Sequence, residues 1–333
     1  MPFELNIYLA IVILPIGFFI LIKGADLLVD GAVAISTRFG ISPLIVGLTV
    51  VAMGTSAPEV AASITAAFKG SGDMAIGNVF GSNIANLALV GGLCAIIRPI
   101  SVKFTMLRRE LPIMLIVALL LLPVFSNHKL DRPESVFLLL VFAAVITLMV
   151  FYGLRDSKSK PEEVVMITDD VQAATSKKLK TVPISLLFVL MGLVCLAAGA
   201  HLTIESASFI GKMIGLTDAV IGCTILAIGT SLPELMTGLI AAKKGHDDLS
   251  LGNIVGSNIF NTLLVIGAAG TAKPFAVNPR FSGTDFWIMI AVTVTFITTA
   301  AINKKIARKA GILLVAMYAA YMIYLLAINN PAA

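Results

Sequence analysis

The stretch GTSAPE at residues 54–59 returns as GTSLPE at residues 229–234, and GNVFGSNIAN at residues 77–86 returns as GNIVGSNIFN at residues 252–261. Both pairs are 175 positions apart, and sliding residues 24–92 onto 199–267 at that single offset, without gaps, gives about 29 identities in 69 positions. Shared apolar composition does not produce such agreement, so the chain is a duplication. Working outward, the 333 residues are 58% hydrophobic and 13% charged, with a mean hydropathy of +0.98. A soluble domain carries about a quarter charged residues. This is the composition of a membrane protein, and it excludes disordered, collagenous and disulfide-scaffold chains.

A bilayer crossing takes about 20 apolar residues, and apolar runs place helices near 5–36, 41–68, 73–97, 108–126, 134–154, 183–212, 216–243, 248–272, 283–302 and 310–328. The first run follows an acidic start with no small-residue cleavage site, so it reads as a helix that stays rather than a removable signal. Only the polar stretch from Arg155 to Lys180 lacks this character. Each half then holds five crossings, an odd number, so the second copy enters the membrane upside down. The expected fold is an all-α membrane protein of ten transmembrane helices. Two inverted five-helix repeats, residues 1–154 and 183–333, flank a linker at 155–182, with broken helices at the core. Such repeats build secondary transporters whose site lies at the midplane.

Loop charge sets the orientation. Alternate loops hold about seventeen and six of the 24 Lys and Arg residues, the larger set including the central linker. The positive-inside rule puts that linker in the cytoplasm and both termini outside. The net charge of +5 thus belongs to cytoplasmic loops, and no nucleic-acid partner is read from it. Cys94, Cys195 and Cys223 lie inside apolar runs without paired spacing and read as core thiols.

The motifs carry the chemistry. Pro58 has no N–H and its ring clashes with the carbonyl four residues back, at Gly54, so the helix breaks there. In hydrocarbon, freed carbonyls survive only where protein or a water-filled cavity meets them. The oxygens from Ala52 to Ser56 are therefore candidate cation ligands, with Thr55 one turn before Glu59. The second copy supplies Ala227, Thr230, Ser231, Pro233 and Glu234 from the opposite direction. An intramembrane carboxylate is costly and marks function by default. A purely structural Glu would pair with Lys or Arg, yet no basic residue lies within 46–68 or 221–242.

The second motif pair places Ser82 with Asn86, and Ser257 with Asn261, on shared helix faces four residues apart. The Gly-x-x-x-Gly spacings at Gly77–Gly81 and Gly252–Gly256 read as close helix packing. Two Glu with neutral oxygens suit a hard cation. Calcium takes six to eight oxygen ligands, whereas magnesium holds its waters and transition metals prefer imidazole or thiolate. Asp26, Asp30, His201 and Glu205 on the first helix of each repeat read as water-facing or paired, Lys23 as snorkelling or paired with Asp26, and His128 and His246 as loop residues.

At these motifs the chain resembles the cation/calcium exchanger superfamily, and within it the compact prokaryotic sodium/calcium antiporters. The resemblance covers both repeats. It implies that Glu59 and Glu234 bind calcium, that Thr55, Thr230, Ser82 and Ser257 ligate at or beside sodium sites, and that the carbonyls of Ala52 and Ala227 are outer sodium ligands with Ser56 and Ser231 nearby. It implies that the first helix of each half slides past a rigid core. It also implies a prokaryotic plasma membrane, calcium and sodium as cargo, no cofactor and no enzymatic reaction; a monomer suffices. Some relatives carry Asp at one of the positions held here by Asn86 and Asn261. The site charge is then −2, which one calcium balances. Proton/calcium members also work with two Glu, so protons stand as the alternative driving ion, potassium dependence stays open, and a cation channel is the more distant alternative.

Overall fold

A computed structural model describes residues 6–159, 181–216 and 221–328. Nearly all of them are helical. The long helices are α1 (Ile7–Phe39), α2 (Pro43–Thr55), α3 (Ala57–Phe68), α4 (Gly72–Ile97), α5 (Glu110–Leu119, continuing as Leu121–Val124), α6 (Arg132–Ser159), α7 (Val182–Met213), α8 (Thr224–Thr230), α9 (Leu232–Lys243), α10 (Asp247–Ala272), α11 (Thr284–Ala301) and α12 (Arg308–Ile328). Among the described residues seven helices are long and apolar enough to cross a membrane, or nine when α2 with α3 and α8 with α9 each count as one bent span. Helices are the open-ended element that can do so, because each satisfies its own backbone groups where no water is available.

Two expectations need correction. The single helix expected over 108–126 is three pieces, Phe104–Arg108, Glu110–Leu119 and Leu121–Val124. Pro112 and Pro123 explain the interruptions: the carbonyls four residues before them belong to Arg108 and Leu119, the last residues before each break. The linker expected from 155 begins later, because α6 runs on to Ser159; Asp156 there meets Arg109 at 2.7 Å. The rest of that linker, 160–180, lies outside the described residues, as do 217–220 at the expected start of the seventh helix. Asp26 pairs with Lys244, while the Lys23 ammonium lies over the Phe19 ring. Cys94 is buried and Cys195 half-buried; Cys223 is not among the side chains described.

The core forms around α10, buried over nearly its whole length, and α4, buried over most of it. One apolar cluster joins α4 and α10 to α5, α6, α11 and α12. A second cluster holds α1 and α7 with residues of α2, α9 and α10. α1 and α7 run antiparallel at close range because glycines recur every seven residues along the seam. A Cβ on Gly24 would fall 2.9 Å from the Leu196 nitrogen, one on Gly31 2.8 Å from the Ser185 carbonyl, and one on Gly192 2.6 Å from the Leu28 nitrogen.

Contacts between the halves come in reciprocal pairs. Strand Ile100–Ser101 pairs antiparallel with Lys305–Ile306, and Lys129–Leu130 with Phe275–Ala276. The Val102 N–H donates to the Lys304 carbonyl and the Val277 N–H to the His128 carbonyl, both at 2.8 Å. Lys103 meets Asp248 at 2.9 Å, and at the corresponding positions Asn278 donates to Asp73 at 3.3 Å. The turns after α3 and α9 both need glycine, at φ 78° for Gly70 and 86° for Gly245.

The Gly-x-x-x-Gly expectation divides. Cβ atoms on Gly252 and Gly256 would each lie 2.7 Å from α2 carbonyls, those of Leu44 and Leu48, so these two do seat helix on helix. Among the described residues Gly81 has no neighbour that a Cβ would meet and Gly77 only ordinary contact with Phe281; the positions that mirror the seats of Gly252 and Gly256, namely 219, 223 and 227, lie outside the described residues and side chains.

Gly192→Leu is expected to push α1 from α7 and cost about 1–3 kcal/mol, as overpacking does. The unfolding midpoint in detergent should fall below that of Leu193→Ile, a change of shape on the same helix.

Candidate functional site

Both motif helices break where Pro58 and Pro233 require it. Ser56 (φ −83°, ψ 2°) separates α2 from α3 at a 42° bend, and Ser231 (φ −88°, ψ 5°) separates α8 from α9 at 52°. Wide π-helical turns precede both breaks, at Gly47–Val51 and Gly222–Leu226, and two more cover Ala85–Val90 and Asn261–Val265. Such turns shift the facing of the residues that follow and recur at functional sites. Asn86 and Asn261 sit in the second pair.

The breaks aim Glu59 and Glu234 inward, and both are wholly buried. Ser56 Oγ donates to Glu234 Oε1 at 3.0 Å, so the break of one half touches the carboxylate of the other. Ser257 Oγ lies 3.5 Å from Glu234 Oε1, and Ser82 Oγ 3.5 Å from Glu59 Oε1, both at the outer limit of a hydrogen bond. Thr55 Oγ1 lies 3.2 Å from Asn253 Oδ1 and 3.3 Å from the Ala52 carbonyl.

Asn78 and Asn253 are the residues sequence reasoning left out of the candidate set. Asn253 Nδ2 donates to the Glu234 carbonyl at 3.3 Å, and Asn78 Nδ2 to the Glu59 carbonyl at 3.4 Å and to Ser63 Oγ at 3.0 Å. Each fastens its motif helix to the helix behind it. Both sit in the repeated GN pairs, and that repetition was the available signal.

Ala52 keeps its helical donor, the Ser56 N–H at 3.0 Å, so the carbonyl expected to be freed is engaged; in the second half the Ser231 N–H donates to the Ile228 carbonyl at 3.1 Å.

Several buried side-chain oxygens in this region have no hydrogen-bond partner among the described residues: Glu59 Oε2, Glu234 Oε2, Asn86 Oδ1, Asn261 Oδ1 and Ser231 Oγ. Thr55, Thr230, Ser82 and Ser257 are buried beside them. Buried polar atoms are nearly always satisfied, and ion pairs among the described residues lie elsewhere, at Arg109, Arg280 and the loops, between Lys244 and α1, and between His201 and Glu205. Two carboxylates with neutral oxygens around them form an acceptor-rich set, which is the donor chemistry of a hard cation.

Comparison with known proteins gives one answer. The model of the family described as sodium/calcium exchanger protein matches residues 9–151 and, separately, 184–327. The protein CaxA of Alkalimonas amylolytica is 40% identical over 88% of this chain and 90% of its own. Sodium/calcium exchanger MaX1 of Methanosarcina acetivorans is 31% identical over 94% and 97%. The solved structure of the sodium-calcium exchanger NCX_Mj superimposes with a TM-score of 0.80 at 29% identity, covering 96% of this chain and 100% of that one.

Asn253→Ala removes the donor to the Glu234 carbonyl and the acceptor beside Thr55, both buried, at an expected cost of about 1–3 kcal/mol. Asn78 is half-buried, and Asn78→Ala is expected to lower the thermal unfolding midpoint less. Equal losses would show that the two braces are equivalent after all.

Proposed function

The chain belongs to the sodium/calcium exchanger family, and from that premise we propose that it is a secondary antiporter that exports calcium in exchange for entering sodium. The observation that carries this reading is the pair of wholly buried carboxylates, Glu59 and Glu234, each with an oxygen that no described residue meets. Calcium brings the opposite charge that such a pair needs. Its ligands are Glu59 and Glu234, with Thr55, Thr230, Ser82 and Ser257 shared with sodium. Sodium takes the carbonyls of Ala52 and Ala227 with Ser56 and Ser231 alongside, and Asn86 and Asn261 add neutral oxygens.

Occupancy couples the fluxes. Because one oxygen set serves both ions, calcium and sodium exclude each other, and the protein changes its opening only when loaded. With Asn at 86 and 261 the site holds two negative charges, which one calcium balances. In this reading residues 1–154 and 183–333 are inverted five-helix repeats joined by a linker. The reciprocal strand pairs at Ile100–Ile306 and Leu130–Phe275 support that symmetry. Ten crossings follow when both bent spans and the interrupted α5 are counted. The loop-charge asymmetry supports a cytoplasmic linker with both termini outside a prokaryotic plasma membrane.

The neutrality of Asn86 and Asn261 favours one second reading, in which protons on Glu59 and Glu234 replace sodium. Purified protein in sodium-loaded liposomes should take up calcium-45 when external sodium is removed, and uptake should vanish without internal sodium. Uptake driven by a pH gradient with no sodium present would transfer the coupling to protons. Calcium flux that needs no ion on the far side would instead indicate a channel.

A further inference from the structure

The two halves differ most where α1 and α7 meet the rest of the protein. α1 packs along α9, sharing its apolar cluster with Leu232, Met236 and Ile240. The corresponding residues of α3 are Ala57, Ala61 and Thr65. All three are exposed, and α7 has little contact with α3. The described structure is therefore closed along α9 and open along α3. Inverted-repeat transporters work by moving one bundle against the other around a fixed site, so the opposite opening is reached when the two halves exchange environments.

One ionic cluster follows this asymmetry. Immediately after α9, Lys244 Nζ lies 3.0 Å from Asp26 Oδ1 and 2.7 Å from Asp30 Oδ1 of α1, with all three side chains about one-third exposed. Shifted by 175 positions, the same trio in the other half is Lys69, His201 and Glu205. There Lys69 is exposed, and Glu205 is 3.3 Å from His201 on its own helix, with both side chains more than half exposed. A base after the motif helix and an acid on the first helix thus occur in both halves, but in this structure the acid of α1 meets its base and that of α7 faces His201.

We propose that Lys244 with Asp26 and Asp30 is an ionic latch that holds α1 against α9, and that Lys69 and Glu205 form the mirror latch when α7 closes on α3. The proposal rests on reading the chain as an alternating-access antiporter. A partly exposed ion pair contributes little by itself, which suits a contact broken once per cycle. Exchanging one such pair for another of the same kind keeps the two openings close in free energy, so that bound ions can decide between them.

The test reads conformation directly. Single cysteines replace Met236 on α9 or Ala61 on α3 in a full-length chain whose three native cysteines are changed to serine. Each is labelled in detergent with a charged maleimide that reaches both faces. Lys244→Gln is expected to raise labelling at 236 several-fold and lower it at 61, and Asp30→Asn should act the same way. Adding Glu205→Gln to Lys244→Gln should return both rates toward the parent, because the mirror latch is then lost as well. Unchanged labelling in Lys244→Gln and Asp30→Asn would overturn the latch, and an unaltered rate on adding Glu205→Gln would overturn its mirror. Labelling needs no transport, so failure here is distinct from failure of the exchange reading, which calcium uptake by the unmodified protein reports.

Discussion

A carboxylate removed from water is costly unless a cation or several donors meet it, and this fold removes two. Glu59 and Glu234 are fully buried, and their nearest described donors are hydroxyls, with Ser56 crossing from the other half to reach Glu234. Proline forces each helix to end where the carboxylate begins, and Asn78 and Asn253 fasten the two new helices from behind. Those braces leave the carboxylates' second oxygens facing inward. The rest of the architecture holds that arrangement in place.

The holding is symmetric and the access is not. Strand pairs link the two halves through matching residues, and α4 and α10 share one continuous apolar cluster with the outer helices. α1 and α7 share a second cluster with a few residues of α2, α9 and α10. They approach each other through glycine on both sides, and α1 packs along α9 far more than α7 does along α3. A body packed tightly within itself and unequally against its surroundings is suited to move as a unit.

Much of the site was legible because duplication made it redundant: the same Pro and Glu at the same offset announced both breaks and both carboxylates. The interruption of α5 was also written in the sequence, in Pro112 and Pro123, but a long apolar run outweighed them in the reading of 108–126. The extension of α6 to Ser159 was hidden because polar residues leaving a membrane remain helical where, as at Asp156, an ion pair holds them. The difference between α3, whose Ala57, Ala61 and Thr65 are exposed, and α9, whose Leu232, Met236 and Ile240 pack with α1, was not legible at all. Identical motifs occupy unlike surroundings when one side of a two-fold arrangement is closed and the other open, and a sequence describes only what the halves share.

The central claim is that two halves build one ion site from one carboxylate each. Equilibrium binding of calcium-45 to the purified protein tests it most directly, beside Glu59→Gln and Glu234→Gln. The account predicts one calcium per chain, displaced by sodium, with binding lost in either single variant. Two calcium ions per chain, or one retained in full by either variant, would contradict it.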